Sequence, residues 1–234
     1  MPTYTLYFAP DNASLVIRVV LEELGVVYDT VAVNRTVKEQ ESETYRKLNP
    51  NGLIPVCMID GEPIFETAAI ALILAERNGH LAPKPGDSGR PRFLKWLFFI
   101  SNTIHPDLRQ LFYPKKYVGR DKDMLRAHAI ITRERLCRHF DILEQLYAGS
   151  GGPYIGNDTL SIVDIYAALC LRWTQVYPMS DPGLFRPENY PSLQRLLTAM
   201  QSRPAVARAF EAEGISAPYL LNASPPDGTM GSPV

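Results

Sequence analysis

Residues 49–76 do most to narrow what this chain can fold into. Asn49-Pro50-Asn51-Gly52-Leu53-Ile54-Pro55-Val56 runs into a short apolar stretch, Asp60-Gly61 follows, and Ile64-Phe65-Glu66-Thr67 then opens an Ala-rich segment from Ala68 to Ala75. Asp60-Gly61 between Val56-Cys57-Met58-Ile59 and Glu62-Pro63-Ile64-Phe65 predicts a two-residue hairpin, and Pro63 puts the second strand at a sheet edge. An X-Pro bond has only a small trans preference, so a cis Ile54–Pro55 bond can be built in, which would turn the Ile54 N–H and C=O outward to pair with an extended peptide. Where the Ala-rich helix begins, the Thr67 hydroxyl and the free N–H groups of the first turn can receive a carboxylate, and Glu66 is left to take an ammonium. Together these groups suit the α-amino acid end of a peptide-like ligand, with backbone pairing further along it. Thr67 as a simple cap and Pro55 as the shaper of a turn account for each part singly; the order of the parts favours the ligand.

The surrounding segments supply the scaffold. Tyr4 to Phe8 reads as a strand, Ser14 to Leu24 as a helix stopped by Gly25, and Val26 to Val33 as a second, β-branched strand. A short helix over Glu41 to Leu48, the hairpin and a helix over Thr67 to Arg77 complete a β-α-β-α-β-β-α order. That is a thioredoxin-like arrangement: a mixed sheet with helices on both faces and a right-handed parallel crossover. From Leu81 to Pro91 the composition shifts to Pro, Gly, Asp and Lys, a linker. Beyond it only helical periodicity is present, over Arg92–Phe112, Asp121–Tyr147, Ser161–Val176, Tyr190–Met200 and Pro204–Glu213. The expected fold class is therefore α/β plus all-α: a thioredoxin-like domain over 1–80, a linker over 81–91, a helical bundle domain over 92–216 and an irregular tail over 217–234. Ser161 three residues before Asp164, flanked by apolar residues, predicts a capping box at the head of the most apolar helix.

Charge and cysteine usage exclude several classes. Lys plus Arg number 24 against 25 Asp plus Glu, a net charge of -1, so the chain has no electrostatic footprint for nucleic acid or an anionic membrane. Hydrophobic residues make up 46%, enough for a buried core and against disorder. Cys57, Cys137 and Cys170 lie in apolar segments without CxxC or Cys/His spacing, which predicts reduced core thiols and no metal site. Met1-Pro2-Thr3-Tyr4 leads straight into a strand without a leader or a membrane-length span, so a cytoplasmic location is expected.

Residues 49–76 resemble the glutathione site of the cytosolic glutathione transferases, and the similarity extends over nearly the whole chain. The resemblance implies that Ile54 and Pro55 hold the cysteinyl backbone of glutathione and that Glu66 and Thr67 bind its γ-glutamyl end. Lys38 and Asn51 match positions that touch the glycyl or γ-glutamyl part. Leu6-Tyr7-Phe8-Ala9-Pro10-Asp11-Asn12-Ala13-Ser14-Leu15 is similar to the bacterial beta-class pattern, but Ala13 stands where that class has its cysteine, so mixed-disulfide chemistry is absent. His105 falls where beta-class enzymes carry a helix histidine, a candidate intersubunit residue, with Pro106 replacing the neighbouring lysine. The family is usually a homodimer, which implies a homodimer here.

The chemistry such a site must perform is ionising a thiol. Three residues are candidates for the donor, in this order: Ser14 and then Asn12 at the opening of the first helix, resembling the serine- or asparagine-type transferases, and last Tyr7 in the first strand, where the tyrosine-type enzymes hold their phenol. Helix capping by Ser14 or Asn12 and ordinary strand packing by Tyr7 are the competing explanations. Arg109, Phe112, Tyr113 and Tyr117 offer an aromatic wall with one cation for an apolar electrophile, expected between the domains; packing between helices accounts equally well for any one of them. Trp96 and Trp173 read as core, and His80, His128 and His139 show no ligand spacing. The expected activity is glutathione transfer to a small apolar electrophile, with glutathione as co-substrate and no metal. The rivals are another glutathione-dependent reaction on the same scaffold (isomerisation, ether cleavage, dehalogenation or peroxide reduction) and a non-enzymatic glutathione-binding module.

Overall fold

A computed structural model describes residues 3–178 and 181–226. By spatial clustering the chain divides into two units, Met1–Arg90 together with Ser202–Tyr219, and Pro91–Gln201 together with Leu220–Ala223.

In the first unit, β1 (Tyr4–Phe8), α1 (Ser14–Leu24), β2 (Asp29–Ala32), α2 (Glu43–Arg46), β3 (Val56–Ile59), β4 (Glu62–Phe65) and α3 (Thr67–Asn78) follow one another. The strands form one sheet in the order β2-β1-β3-β4, with β1 parallel to β2 and antiparallel to β3, and β3 antiparallel to β4. Pro63 thus lies in an edge strand, and the turn residues Asp60 and Gly61 stand at φ 53 and 88, the left-handed pair that a two-residue hairpin requires. The strand pleat separates the two faces. Tyr4, Leu6, Cys57 and Ile59 are buried on the side of α1 and α3, while Tyr7, Val56, Met58 and Phe65 pack with Tyr45 of α2 on the other. α1 ends at Gly25 and α3 at Gly79, both left-handed caps. The strand expected over Val26 to Val33 contracts to four residues, and Val27 is 91% exposed, a β-branched residue that fits the pattern but packs against nothing.

The second unit is helical. In it α4 (Arg90–Phe99) passes through a π turn at Ile100–Ile104 into α5 (His105–Phe112), followed by α6 (Lys115–Val118), α7 (Lys122–Ala148), α8 (Ile162–Val176) and α9 (Pro191–Gln201). Asp121 caps α7 by accepting the Asp123 and Met124 N–H groups at 3.1 and 2.9 Å. α8 is buried along nearly its whole length, and the predicted capping box is present: Asp164 accepts the Ser161 N–H at 2.8 Å and its hydroxyl at 2.7 Å. The other carboxylate oxygen takes the Ile155 N–H and the Tyr147 hydroxyl, at 2.8 and 3.0 Å. The box therefore also anchors the loop before α8 to the end of α7.

The final helix, α10 (Pro204–Glu211), belongs to the first unit and packs on α1. Of the tail expected over 217–234, residues 217–226 hold no helix or strand, and 227–234 lie outside the described residues. No helix among the described residues is long and apolar enough to cross a membrane.

Candidate active site

The loop entering β3 is held from below by two donors on one oxygen. Asn49 Nδ2 and Tyr45 Oη donate to the Leu53 carbonyl at 2.8 and 3.0 Å, and Asn49 Oδ1 accepts the Asn51 N–H at 3.1 Å. Arg46 ties the same loop by donating to the Glu41 and Pro50 carbonyls, both at 3.1 Å. Gly52 has φ +63, and a Cβ there would stand 2.9 Å from the Gln40 carbonyl oxygen, so the close approach of the two chain segments requires glycine. The Ile54–Pro55 bond that follows is cis. The Ile54 N–H and C=O make no hydrogen bond among the described residues and are free to pair with a ligand backbone.

At the far end of the hairpin Glu66 adopts φ 73, ψ 111, a conformation that costs a non-glycine residue on the order of 1–3 kcal/mol and collects at functional sites. It leaves the Glu66 side chain exposed directly before Thr67, whose side chain is buried at the first position of α3 and makes no hydrogen bond among the described residues. An exposed acid, an uncommitted hydroxyl and the N–H groups of a helix start thus adjoin one another. Lys38 is exposed at φ 56 between two short 3₁₀ turns, and Asn51 is exposed beside Gly52.

The three donor candidates are in different states. Ser14 is fully buried; its hydroxyl donates to the Ala9 carbonyl at 3.1 Å and accepts the Ala9 N–H at 3.3 Å, so its one proton is committed. Asn12 is half-buried, and its Oδ1 accepts the Ala13 N–H at 2.8 Å, leaving the carboxamide protons to donate elsewhere. Tyr7 stands edge-on to Tyr45, ring centroids 6.2 Å apart, in the cluster that includes Ile54. The protein's own thiols are held protonated. Burial pushes Cys57 up to about 12 and raises Cys170 and Cys137, the last also under the influence of Asp141.

In the second unit Phe112 is buried and edge-on to Tyr177, Tyr113 lies beneath the Lys116 ammonium at 5.1 Å, and the exposed Tyr117 stacks on His128. Arg109 is half-buried and close enough to His105 to depress it. Phe112 is thus engaged in the core of its unit, and Tyr113 and Tyr117 remain toward the surface. His105 packs against Trp173 and shares a 2.6 Å hydrogen bond through Nδ1 with the Tyr166 hydroxyl; burial first, then Arg109, lowers it to about 4 and keeps it neutral.

Several charged residues escaped the sequence reading. Arg18, Asp11 and Glu213 are buried in the first unit, where Arg18 Nε donates to Glu213 at 2.9 Å across 195 residues of sequence. A lone arginine within the apolar run Leu15–Leu21 was the available signal. In the second unit Asp107 accepts two hydrogen bonds from Arg135, at 2.9 and 2.6 Å, and lies 3.1 Å from His139 Nε2. Among the described residues no group of three or more His, Cys, Asp or Glu could hold a metal ion.

Comparison with known proteins identifies the family. Residues 2–76 match the family model of the glutathione S-transferase N-terminal domain, and residues 106–213 that of the C-terminal domain. A probable maleylacetoacetate isomerase of Vibrio cholerae is 31% identical over 206 residues, covering 85% of this chain and 90% of its own. Glutathione S-transferase GST-4.5 of Xanthomonas campestris is 25% identical over 217 residues, 90% of this chain and 99% of that one. Among solved structures, a glutathione transferase from Burkholderia graminis with two glutathione molecules bound per subunit superposes with a TM-score of 0.78 at 28% identity, covering 90% of this chain and 88% of its own. The chain belongs to the cytosolic glutathione transferase superfamily.

Proposed function

We propose that the protein binds glutathione in its first unit and transfers the peptide's thiolate to a small apolar electrophile. The observation that carries this reading is the set of uncommitted groups around the hairpin: the free backbone of Ile54 before cis Pro55, then Glu66, Thr67 and the start of α3. Ile54 pairs with the cysteinyl residue, Thr67 and the α3 N–H groups take the γ-glutamyl carboxylate, Glu66 takes the ammonium, and Lys38 and Asn51 take the glycyl end. With Cys57, Cys137 and Cys170 all shifted toward the thiol form, the nucleophile is the ligand's sulfur.

A free thiol titrates near 8.5, and lowering it by about two units takes roughly 2.7 kcal/mol. A helix N-terminus supplies up to about 2 kcal/mol, and one hydrogen bond to a charged group about 1.5–3. The start of α1 plus one donor is sufficient. Asn12 is assigned as that donor, because Ser14 has spent its proton on Ala9; Tyr7 is the second choice. Arg109, Tyr113 and Tyr117 of the second unit are assigned to the electrophile, and the working form is a homodimer, to be checked by sedimentation.

The test is a pH titration of glutathione thiolate absorbance with saturating protein. A bound thiol pKa at least one unit below the free value is expected, and an unshifted value sinks the transferase mechanism in favour of a binding module. A second reading, isomerisation, is favoured by the Vibrio relative. There thiolate adds to a carbon–carbon double bond, the resulting single bond rotates and elimination returns the thiolate, so product forms without consumption of glutathione. Counting glutathione consumed per product separates the two.

A further inference from the structure

Glu213, just beyond α10, has no solvent-exposed side-chain surface. One carboxylate oxygen accepts from Arg18 Nε and the other from the Asp11 N–H, each at 2.9 Å. Asp11 stands at φ 49, immediately before Asn12. The loop from Ala9 to Ala13 is therefore pinned at two points, at Ala9 by the Ser14 hydroxyl and at Asp11 by Glu213, and Asn12 follows directly after the second pin.

Burying this carboxylate is not needed to dock α10. Arg203 grips Glu23 at 2.5 and 2.6 Å, Arg208 grips Glu22 at 2.7 Å, and Val206, Ala209 and Phe210 are fully buried. The Arg18–Glu213 pair is also imperfect as a stabiliser: Arg18 lies over the Phe8 ring at 4.3 Å, and its Nη2 is buried without a partner among the described residues. Buried ion pairs often do no better for stability than apolar residues of the same volume. What an apolar residue could not supply is an acceptor for the Asp11 N–H.

We propose that Glu213 is a positioning residue for thiol activation: by holding the Asp11 backbone it sets the Asn12 carboxamide and the N-terminus of α1 against the ligand's sulfur. This rests on the glutathione reading above. A displacement of about 1 Å in such a donor is enough to lose most of its contribution.

The experiment compares the intact wild-type protein, Glu213→Met, which removes the acceptor, and, as a docking control, Arg203→Ala. Each is read by bound-glutathione thiolate absorbance against pH, affinity for S-methylglutathione, and thermal melting. Glu213→Met is expected to raise the bound thiol pKa by about one unit, a tenfold loss of thiolate at pH below that pKa, with S-methylglutathione affinity within about twofold. Arg203→Ala is expected to lower the melting temperature and leave the thiol pKa unchanged. If Glu213→Met does not fold, Glu213→Asp, which withdraws the carboxylate by one methylene, is read the same way. A bound thiol pKa equal to wild type in the Glu213 variant, whatever its melting temperature, overturns the proposal. A wild-type protein that binds glutathione without shifting its thiol overturns the parent reading and the proposal with it.

Discussion

Ser14 and Asn12 illustrate how much a side chain's function depends on what its neighbours have already claimed. Both are good helix caps and both stand at the head of α1, and the sequence puts Ser14 ahead of Asn12 as the donor. Only when the chain folds does Ala9, five residues back, come within hydrogen-bonding distance of the Ser14 hydroxyl and occupy it. Ser14→Ala should therefore cost about 1–3 kcal/mol of stability by leaving a buried N–H and C=O unpaired, measured by urea unfolding, and affect the bound thiol mainly through that loss. Asn12→Ala should instead leave stability within about 0.5 kcal/mol and raise the bound thiol pKa by one unit or more, since a hydrogen bond to a charged group contributes about 1.5–3 kcal/mol. A normal thiol pKa shift in Asn12→Ala would transfer the role to Tyr7. The local structure at Ile54, Pro55, Glu66 and Thr67 was readable because each feature depends on local chemistry: an X-Pro bond, a strand end, a helix start. Glu213 was not, because nothing in its own segment points to Asp11.

Elements were legible where their signals are short-range. The hairpin follows from Asp60-Gly61, whose positive φ angles suit Gly and, with some strain, Asp, and Asp60 is further held by the Thr3 N–H and by an ion pair with Arg77, which keeps its carboxyl below the usual range. α8 follows from Ser161 and Asp164, but the sequence shows only half of what Asp164 does. Burial raises its pKa while Ser161, Ile155 and Tyr147 donate to it and pull the other way. Asp164→Ala removes the cap, worth about 1 kcal/mol, and strands donors that cost about 1–3 kcal/mol more. A loss of about 2–4 kcal/mol in urea unfolding is expected, against about 1 if Asp164 were a cap alone. The π turn at Ile100–Ile104 and the short α6 had no such signal: helical periodicity continues through the first, and the second is too brief to show a period.

At the scale of the whole molecule, periodicity identifies a helix but carries no information about the body it packs against. α10 follows four long helices in sequence and reads as their continuation, yet Ser202–Tyr219 cluster with the first unit, drawn by apolar burial against α1 and by arginines set opposite Glu22 and Glu23. Phe210 is fully buried there, so Phe210→Ala should cost about 3–5 kcal/mol. Hydrogen exchange should quicken in α1 and β1 while α7 and α8 keep their protection; the reverse pattern would place α10's stabilising contacts elsewhere.

The same segment sets a pH dependence. Burial pushes Glu213 from 4.5 up to about 7 against the attraction of Arg18, with Asp11 adding repulsion. A carboxyl raised in the folded state contributes stability that is fully present below the unfolded value and is lost as pH rises through the folded one. Wild type should thus lose on the order of 3 kcal/mol relative to Glu213→Gln between pH 4.5 and 8, because glutamine does not titrate. Urea unfolding of both proteins across that range reads the difference directly. A gap that stays flat would mean that Arg18 and the Asp11 N–H keep Glu213 ionised throughout, and that the loop before α1 is held with equal strength at every pH where the protein is folded.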